Sequence, residues 1–222
     1  MLALKEYLNS TFPGLQLKSN LYDEWDIRLH IRLAEGIYQF KDNGQLNLEM
    51  FEMVYYQALT IFNHLFSEQD EIFLVTNVCH RKRNYRKVKV KVYDRYLKNK
   101  SLKYKVRQEV KPCLFDDEEH EQYISSQYYL KCRKSDINYS LLIKAICNED
   151  FQPLKPRFGR DKGSYYPDVF FVNASKNIIL FIYDDRGCEV IAQNKETIRP
   201  LYEQYHDWVD DYYREENELL FK

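Results

Sequence analysis

The stretch Tyr183-Asp184-Asp185-Arg186-Gly187 places two adjacent carboxylates, a guanidinium and a glycine at the end of an apolar run. An adjacent carboxylate pair suits Mg²⁺ in phosphoryl transfer, but neighbours on a strand point to opposite faces, so both serve one ion only at a turn. Asp168 is the one further acid nominated for that mouth. Pro167-Asp168 starts a nuclease-like pattern that no Asp/Glu-x-Lys completes. The same residues also make a plain hairpin connection. Asp184 accepts a backbone N–H within the turn, Gly187 supplies a positive φ, and Asp185 and Arg186 are left to act outside it. Arg186 then has carboxylates to pair with on the last helix: Asp207, Asp210, Asp211, Glu215 and Glu216. The expected metal set is none, and the turn is read as scaffold first and site second.

A second set of chemistry-bearing residues is basic. Residues 80–111 hold 14 Lys/Arg and 2 Asp/Glu, out of 33 and 34 in the whole chain, so the rest is acidic. Arg81, Arg83, Arg86, Lys87, Lys89, Lys91 and Arg95, with Tyr85, Tyr93, Tyr96 and Tyr104 interleaved, have the composition of a surface that tracks phosphates and stacks bases. Lysines on an exposed strand also do a simpler job, blocking edge-to-edge pairing. Asp116-Asp117-Glu118-Glu119 is available to neutralise the segment within the fold. The loop Lys155-Pro156-Arg157-Phe158-Gly159-Arg160-Asp161-Lys162-Gly163-Ser164 is a thinner anion candidate, because GxxxxGK[ST] is missing.

Other chemistries lack their residues. Five cysteines (Cys79, Cys113, Cys132, Cys147, Cys188) and five histidines (His30, His64, His80, His120, His206) are scattered without zinc or redox spacing, so neither a disulfide framework nor a metal site is expected. No GxSxG or HExxH occurs, and Cys79-His80 diverge on a strand. Lys5 and Glu6 interrupt the first apolar residues, and no later run reaches the roughly 18 residues of a membrane span. A cytoplasmic, membrane-free chain is expected, with no cofactor.

The elements that must position these residues follow from periodicity. Trp25, Ile27, Leu29, Ile31 and Leu33 alternate with Asp26, Arg28, His30 and Arg32, a strand with one wet face. Phe51, Tyr55, Ala58, Phe62 and Leu65 form one stripe of a helix over 47–66. Strands are expected at 71–78, at 87–92 (Val88, Val90 and Val92 against Lys87, Lys89 and Lys91), at 103–110 and at 123–132. Ser135 or Asp136 caps a helix carrying Tyr139, Leu142, Ile143 and Ile146. Residues 148–167 hold Pro153, Pro156, Gly159, Gly163 and Pro167 and read as irregular. Strands at 169–172, 178–183 and 188–192 make a C-terminal meander, followed by a helix with Leu201, Tyr205, Trp208, Val209 and Tyr212 on one face. The fold class is α+β, a largely antiparallel or mixed sheet packed by helices. The chain is read as one domain over 1–222, with a possible division into 1–147 and 168–222 across the loop.

Asn148-Glu149-Asp150-Phe151 with Lys155-Pro156-Arg157, then Asp168-Val169-Phe170-Phe171, "YDDRGCEVIA" and "NKETIRPLYEQYHDWVDDYYRE" together resemble a bacterial, Bacillus-type family catalogued as domain of unknown function 3885. The likeness is specific from about 148 to 216. It implies a Rossmann-like or α/β domain around the YDDRG motif and no established activity; with GxGxxG absent, it does not imply NAD binding. No catalytic set stands out, so the chain reads as a non-catalytic module that binds a protein partner, in its sharpest form by masking it as immunity proteins do. Nucleic-acid or phosphoanion binding through 80–111 is the alternative, and metal-dependent phosphoryl transfer the third reading.

Overall fold

The computed structural model describes residues 3–84, 91–112, 122–159 and 164–222. Its centre is a seven-stranded sheet of β1 (Arg28–Arg32), β2 (Glu71–Arg81), β3 (Arg107–Pro112), β4 (Tyr123–Arg133), β5 (Asp168–Asn173), β6 (Ile178–Ile182) and β7 (Gly187–Ala192). The order is β1-β7-β6-β5-β2-β4-β3 and every pairing is antiparallel. The fold is α+β, with β5, β6 and β7 as the meander. The Rossmann-like expectation attached to the family resemblance is therefore wrong: among the described residues no strand pair is parallel, so the sheet offers no crossover switch point to hold a dinucleotide.

One face of the sheet is sealed by helices α2 (Leu48–Leu65), α4 (Tyr139–Cys147) and α5 (Lys195–Gln204). The apolar stripe of α2 comes down on it as its period requires, with Phe51, Val54, Ala58, Ile61 and Phe62 buried against strand residues such as Phe171, Leu180 and Val190. The other face is covered by α1 (Leu4–Thr11) and the segment after it, where Leu4, Tyr7, Leu8, Phe12, Leu17 and Leu21 pack on Phe73, Val75, Phe170, Phe181 and Ile191. With both faces covered, β5 and β6 are nearly all apolar.

Four local expectations are corrected. Lys91 and Val92 begin helix α3 (Lys91–Tyr96), not a strand; residues 85–90 lie outside the described segments. Val92, Tyr93, Tyr96 and Leu97 are buried at helical spacing, and the Tyr93 hydroxyl donates to the Leu74 and Tyr128 carbonyls. Residues 103–105 close a 3-10 turn (Lys100–Lys105) ahead of β3. Asp136 accepts the Arg133 N–H and so closes the 3-10 turn Lys134–Asp136, whereas α4 starts after Asn138. The last helix does not run through. After α5 the chain makes 3-10 turns at His206–Trp208 and Asp211–Tyr213, then α6 (Arg214–Phe221). The break has a tertiary cause: Val209 bridges Ile31 and the Asp210 N–H donates to the His30 carbonyl, so the edge of β1 takes hydrogen bonds that a continuous helix would keep.

Candidate functional site

The sheet's second face changes character along its strands. Its apolar cover ends at a row of side chains in register across the sheet: Glu109 opposite Gln127, Gln127 opposite Asn77, and Asn77 opposite Asp168. Carried two residues past Phe170–Phe181, the register sets Asp168 level with Tyr183, which is bonded to Gly187, itself opposite Arg32. One row inward, Phe170, Phe181, Glu189 and His30 lie side by side. Above these two rows opens a cleft of about 800 Å³, walled by Ala34–Gln39 residues on one side, the Asp184–Arg186 turn on another and Asp210 on a third.

The turn sits at the rim with its polar groups already assigned. Asp184 Oδ1 accepts the Arg186 N–H at 2.7 Å, and its Oδ2 accepts the Arg186 guanidinium, Nε at 2.8 Å and Nη2. The Arg186 guanidinium thus turns back on its own loop and is 70% exposed, where a partner on the last helix was expected. Arg32 and Arg28 take that role, Arg32 pairing with Asp210 at 2.9 Å and Arg28 with Glu216 at 2.6 Å. Asp185, buried, accepts from Gln39 Nε2 at 2.9 Å, and burial raises its carboxyl. Glu149 in the preceding loop is pushed up to about 9, first by burial and then by the acids around it, Asp150, Asp168, Asp184 and Asp185. Among the described residues, no group of three or more His, Cys, Asp or Glu side chains is arranged to hold a metal ion.

Gly187 is needed for a different reason from the one its turn position implied. It does not have a positive φ; among the described glycines those are Gly14, Gly36 and Gly44. A Cβ at 187 would overlap the Tyr183 hydroxyl and come within 2.6 Å of the Ile31 carbonyl. The missing side chain is the space through which Tyr183 crosses β7 to bond His30 Nε2 at 2.9 Å.

The floor of the cleft holds Asp168, which the sequence nominated, together with Glu189 and His30, which it did not. Glu189 is 6% exposed, accepts the Tyr22 N–H at 2.9 Å, and is raised by burial to about 7. Asp168 accepts Ser19 Oγ at 2.9 Å and is raised by desolvation to about 6. His30 stands among the rings of Tyr22, Tyr183 and Tyr213, its pKa lowered by burial, with Nδ1 3.9 Å from Asp210. A signal for Glu189 existed: it is the one acid inside the apolar run 188–192. Chemically, the floor can hold a positive charge or exchange a proton near neutral pH.

The basic candidates are not gathered on one strand. Arg81 ends β2 and donates to the Tyr123 hydroxyl at 3.1 Å, Arg83 is exposed in the turn Lys82–Asn84, and Lys91 and Arg95 are exposed on α3. Arg86, Lys87 and Lys89 lie outside the described residues, as do Asp116, Asp117, Glu118, Glu119, Arg160 and Lys162. Cys79 is in a disulfide, which the scattered spacing did not signal; Cys132, Cys147 and Cys188 are buried free thiols.

The segments that resembled one family converge here: Asn148 anchors its loop by donating to the Pro156 carbonyl, Arg157 donates to the Glu149 carbonyl, and Asp168 and the Asp184–Gly187 turn frame the cleft. The family described as Domain of unknown function (DUF3885) matches residues 4–213. The chain belongs to that family. It is 47% identical over 207 residues to the uncharacterized protein YnaE of Bacillus subtilis strain 168, covering 93% of this chain and 96% of that protein. No solved structure matches it. Among the described residues, no helix is long and apolar enough to cross a membrane.

Proposed function

We propose that this DUF3885 protein is a non-catalytic interaction module that binds a partner protein through the outer face of residues 37–56. The observation that carries this is the clustering of exposed apolar side chains. Ile37, Tyr38, Phe40, Leu48, Met53 and Tyr56 make up half of the twelve large exposed hydrophobic residues among those described. On α2 Met53 and Tyr56 lie on the side turned away from the stripe that packs the core, and Leu48 lies on its flank. A helix that keeps apolar residues outside its buried stripe has a second surface to cover, and exposed aromatics and methionine are the composition of an interface core. The free thiols add support for a non-catalytic role. Burial pushes Cys132 up to about 12 and raises Cys147 and Cys188, so none supplies a thiolate. In the immunity form of this reading, the partner is a toxin whose activity is lost when this face covers it.

The test compares proteins recovered from the native host by the wild type and by a Phe40→Ser/Tyr56→Glu variant of equal melting temperature. A partner recovered at least tenfold less by the variant is expected. Equal recovery of every protein by both would sink the proposal.

A further inference from the structure

The cleft shares Ile37 and Tyr38 with the apolar face but is not lined by Phe40, Leu48, Met53 or Tyr56, and its charges do not balance. Its lining carries five carboxyl groups, Glu35, Asp168, Asp184, Glu189 and Asp210, against two guanidiniums, Arg32 and Arg186. Both guanidiniums are taken: Arg32 by Glu35 at 2.6 Å and Asp210 at 2.9 Å, Arg186 by Asp184 at 2.8 Å. Asp168 and Glu189 remain. No lysine or arginine among the described residues pairs with either; the partner of Asp168 is the Ser19 hydroxyl, and those of Glu189 are the backbone N–H groups of Tyr22 and Leu21. Glu189 is buried and Asp168 half-buried, and carboxylates drawn out of water are normally paired, since burying an uncompensated charge is costly.

We infer that this cleft binds an organic cation, an ammonium or guanidinium group seated between the Asp168 and Glu189 carboxylates against the rings of Phe181 and Tyr183. The volume is that of a small-molecule site. Aromatic faces beside acids are the surroundings that favour a desolvated organic cation. An anion would meet guanidiniums already engaged, and a metal ion would lack a set of converging ligands among the described residues. His30 adds an acceptor: its Nδ1 is buried without a hydrogen-bond partner, and in the tautomer that donates from Nε2 to Tyr183 it has a lone pair to offer. The acids held at about 6 and 7 are ready to ionise when the cation arrives. The charged groups facing them are His30 and Arg32 on β1, Asp23 ahead of it, Asp184 and Arg186 in the turn, and Asp210 beyond α5.

Isothermal titration of the full chain with spermidine, agmatine and a peptide carrying one lysine in an uncharged sequence tests this. Saturable binding of at least one probe is expected, weakened tenfold or more by Asp168→Asn and by Glu189→Gln, and unchanged by Glu215→Gln on the exposed side of α6. Binding by the free amines alone identifies a small molecule as the source of the cation; binding by the peptide alone identifies a side chain of a partner. For the wild type, titration at pH 6.5 in buffers of different ionisation enthalpy should show net proton release as the two acids ionise. No saturable binding of any probe, equal affinity in both cleft variants, or no proton release would overturn the inference. The Phe40→Ser/Tyr56→Glu variant should bind the cation normally, so the two proposals fail separately.

Discussion

The two faces of the sheet are built from the same strands and end differently. Under α2, α4 and α5 the buried side chains are mostly apolar, and the polar ones buried there, Thr76, His80, Ser126 and Asn173, have hydrogen-bond partners. Under α1 the apolar cover lasts only as far as Phe170 and Phe181, and where it stops the strands carry Asn77, Asp168, Glu189, His30 and Arg32. A helix of eight residues cannot shield a face that one of eighteen covers on the other side. The polar residues mark the limit of cover, and the cleft opens there, with two acids that no lysine or arginine among the described residues neutralises.

The sharpest way to break this comparison is to damage each face in turn. Phe171→Ala on the sealed face, where Phe62 and Phe66 pack on the ring, should cost about 3 to 5 kcal/mol by chemical denaturation. Gly187→Val, which drives a branched side chain into Tyr183 and the Ile31 carbonyl, should cost about 3 kcal/mol and displace Tyr183 from His30. Ala at 187 should fail in the same direction, since the first carbon already collides.

Glu189→Gln should act in the opposite direction. The folded state holds this carboxyl at about 7 against an ordinary 4.5, so its contribution to stability is complete below pH 4.5 and is lost as pH rises through 7. Urea melts should find the variant on the order of 3 kcal/mol more stable than wild type at pH 8 and nearly equal at pH 4. The pH slope that remains in the variant belongs to Asp168 and Glu149, raised in the same sense. A variant no more stable than wild type at pH 8 would mean that the open face is not carrying an unpaired acid. Arg186→Ala comes last, at about 1 kcal/mol or less, because its ion pair with Asp184 is largely exposed. The bidentate contact with the last helix inferred from sequence implied up to about 3 kcal/mol.

Much of the architecture was legible because it obeys a period. The stripe on α2, the alternation of β1 and the apolar runs of β5 and β6 each report local geometry and burial together. Where the reading failed, a distant partner decided the outcome. Leu201, Tyr205, Trp208, Val209 and Tyr212 fit one helical face, yet the backbone of Val209 and Asp210 bonds to β1, some 180 residues earlier in the chain. Val92 alternates with lysines as a strand residue does, but Tyr93 and Tyr96 turn the segment into a helix whose hydroxyl anchor lies on β2 and β4. For Gly187, residue type and turn position were visible, but the neighbour that forbids a side chain is a carbonyl on β1. The site shows the same limit. Asp184 and Asp185 drew notice by adjacency and Asp168 by its place on the neighbouring strand, whereas the position of Glu189 beside them follows only from strand register, which no local pattern encodes.

The wall carrying Asp210 is fastened to β1 by a backbone bridge at Val209, the Asp210 N–H and an ion pair from Arg32, with the Val209 side chain in the core and the Tyr213 ring against Tyr22 and His30. Such an attachment opens at lower free energy than the sheet behind it. Amide hydrogen exchange at Asp210 should therefore run ahead of exchange at Ile179 on β6, and a protease that cuts between α5 and α6 would bare the β1 edge while β5, β6 and β7 stay paired.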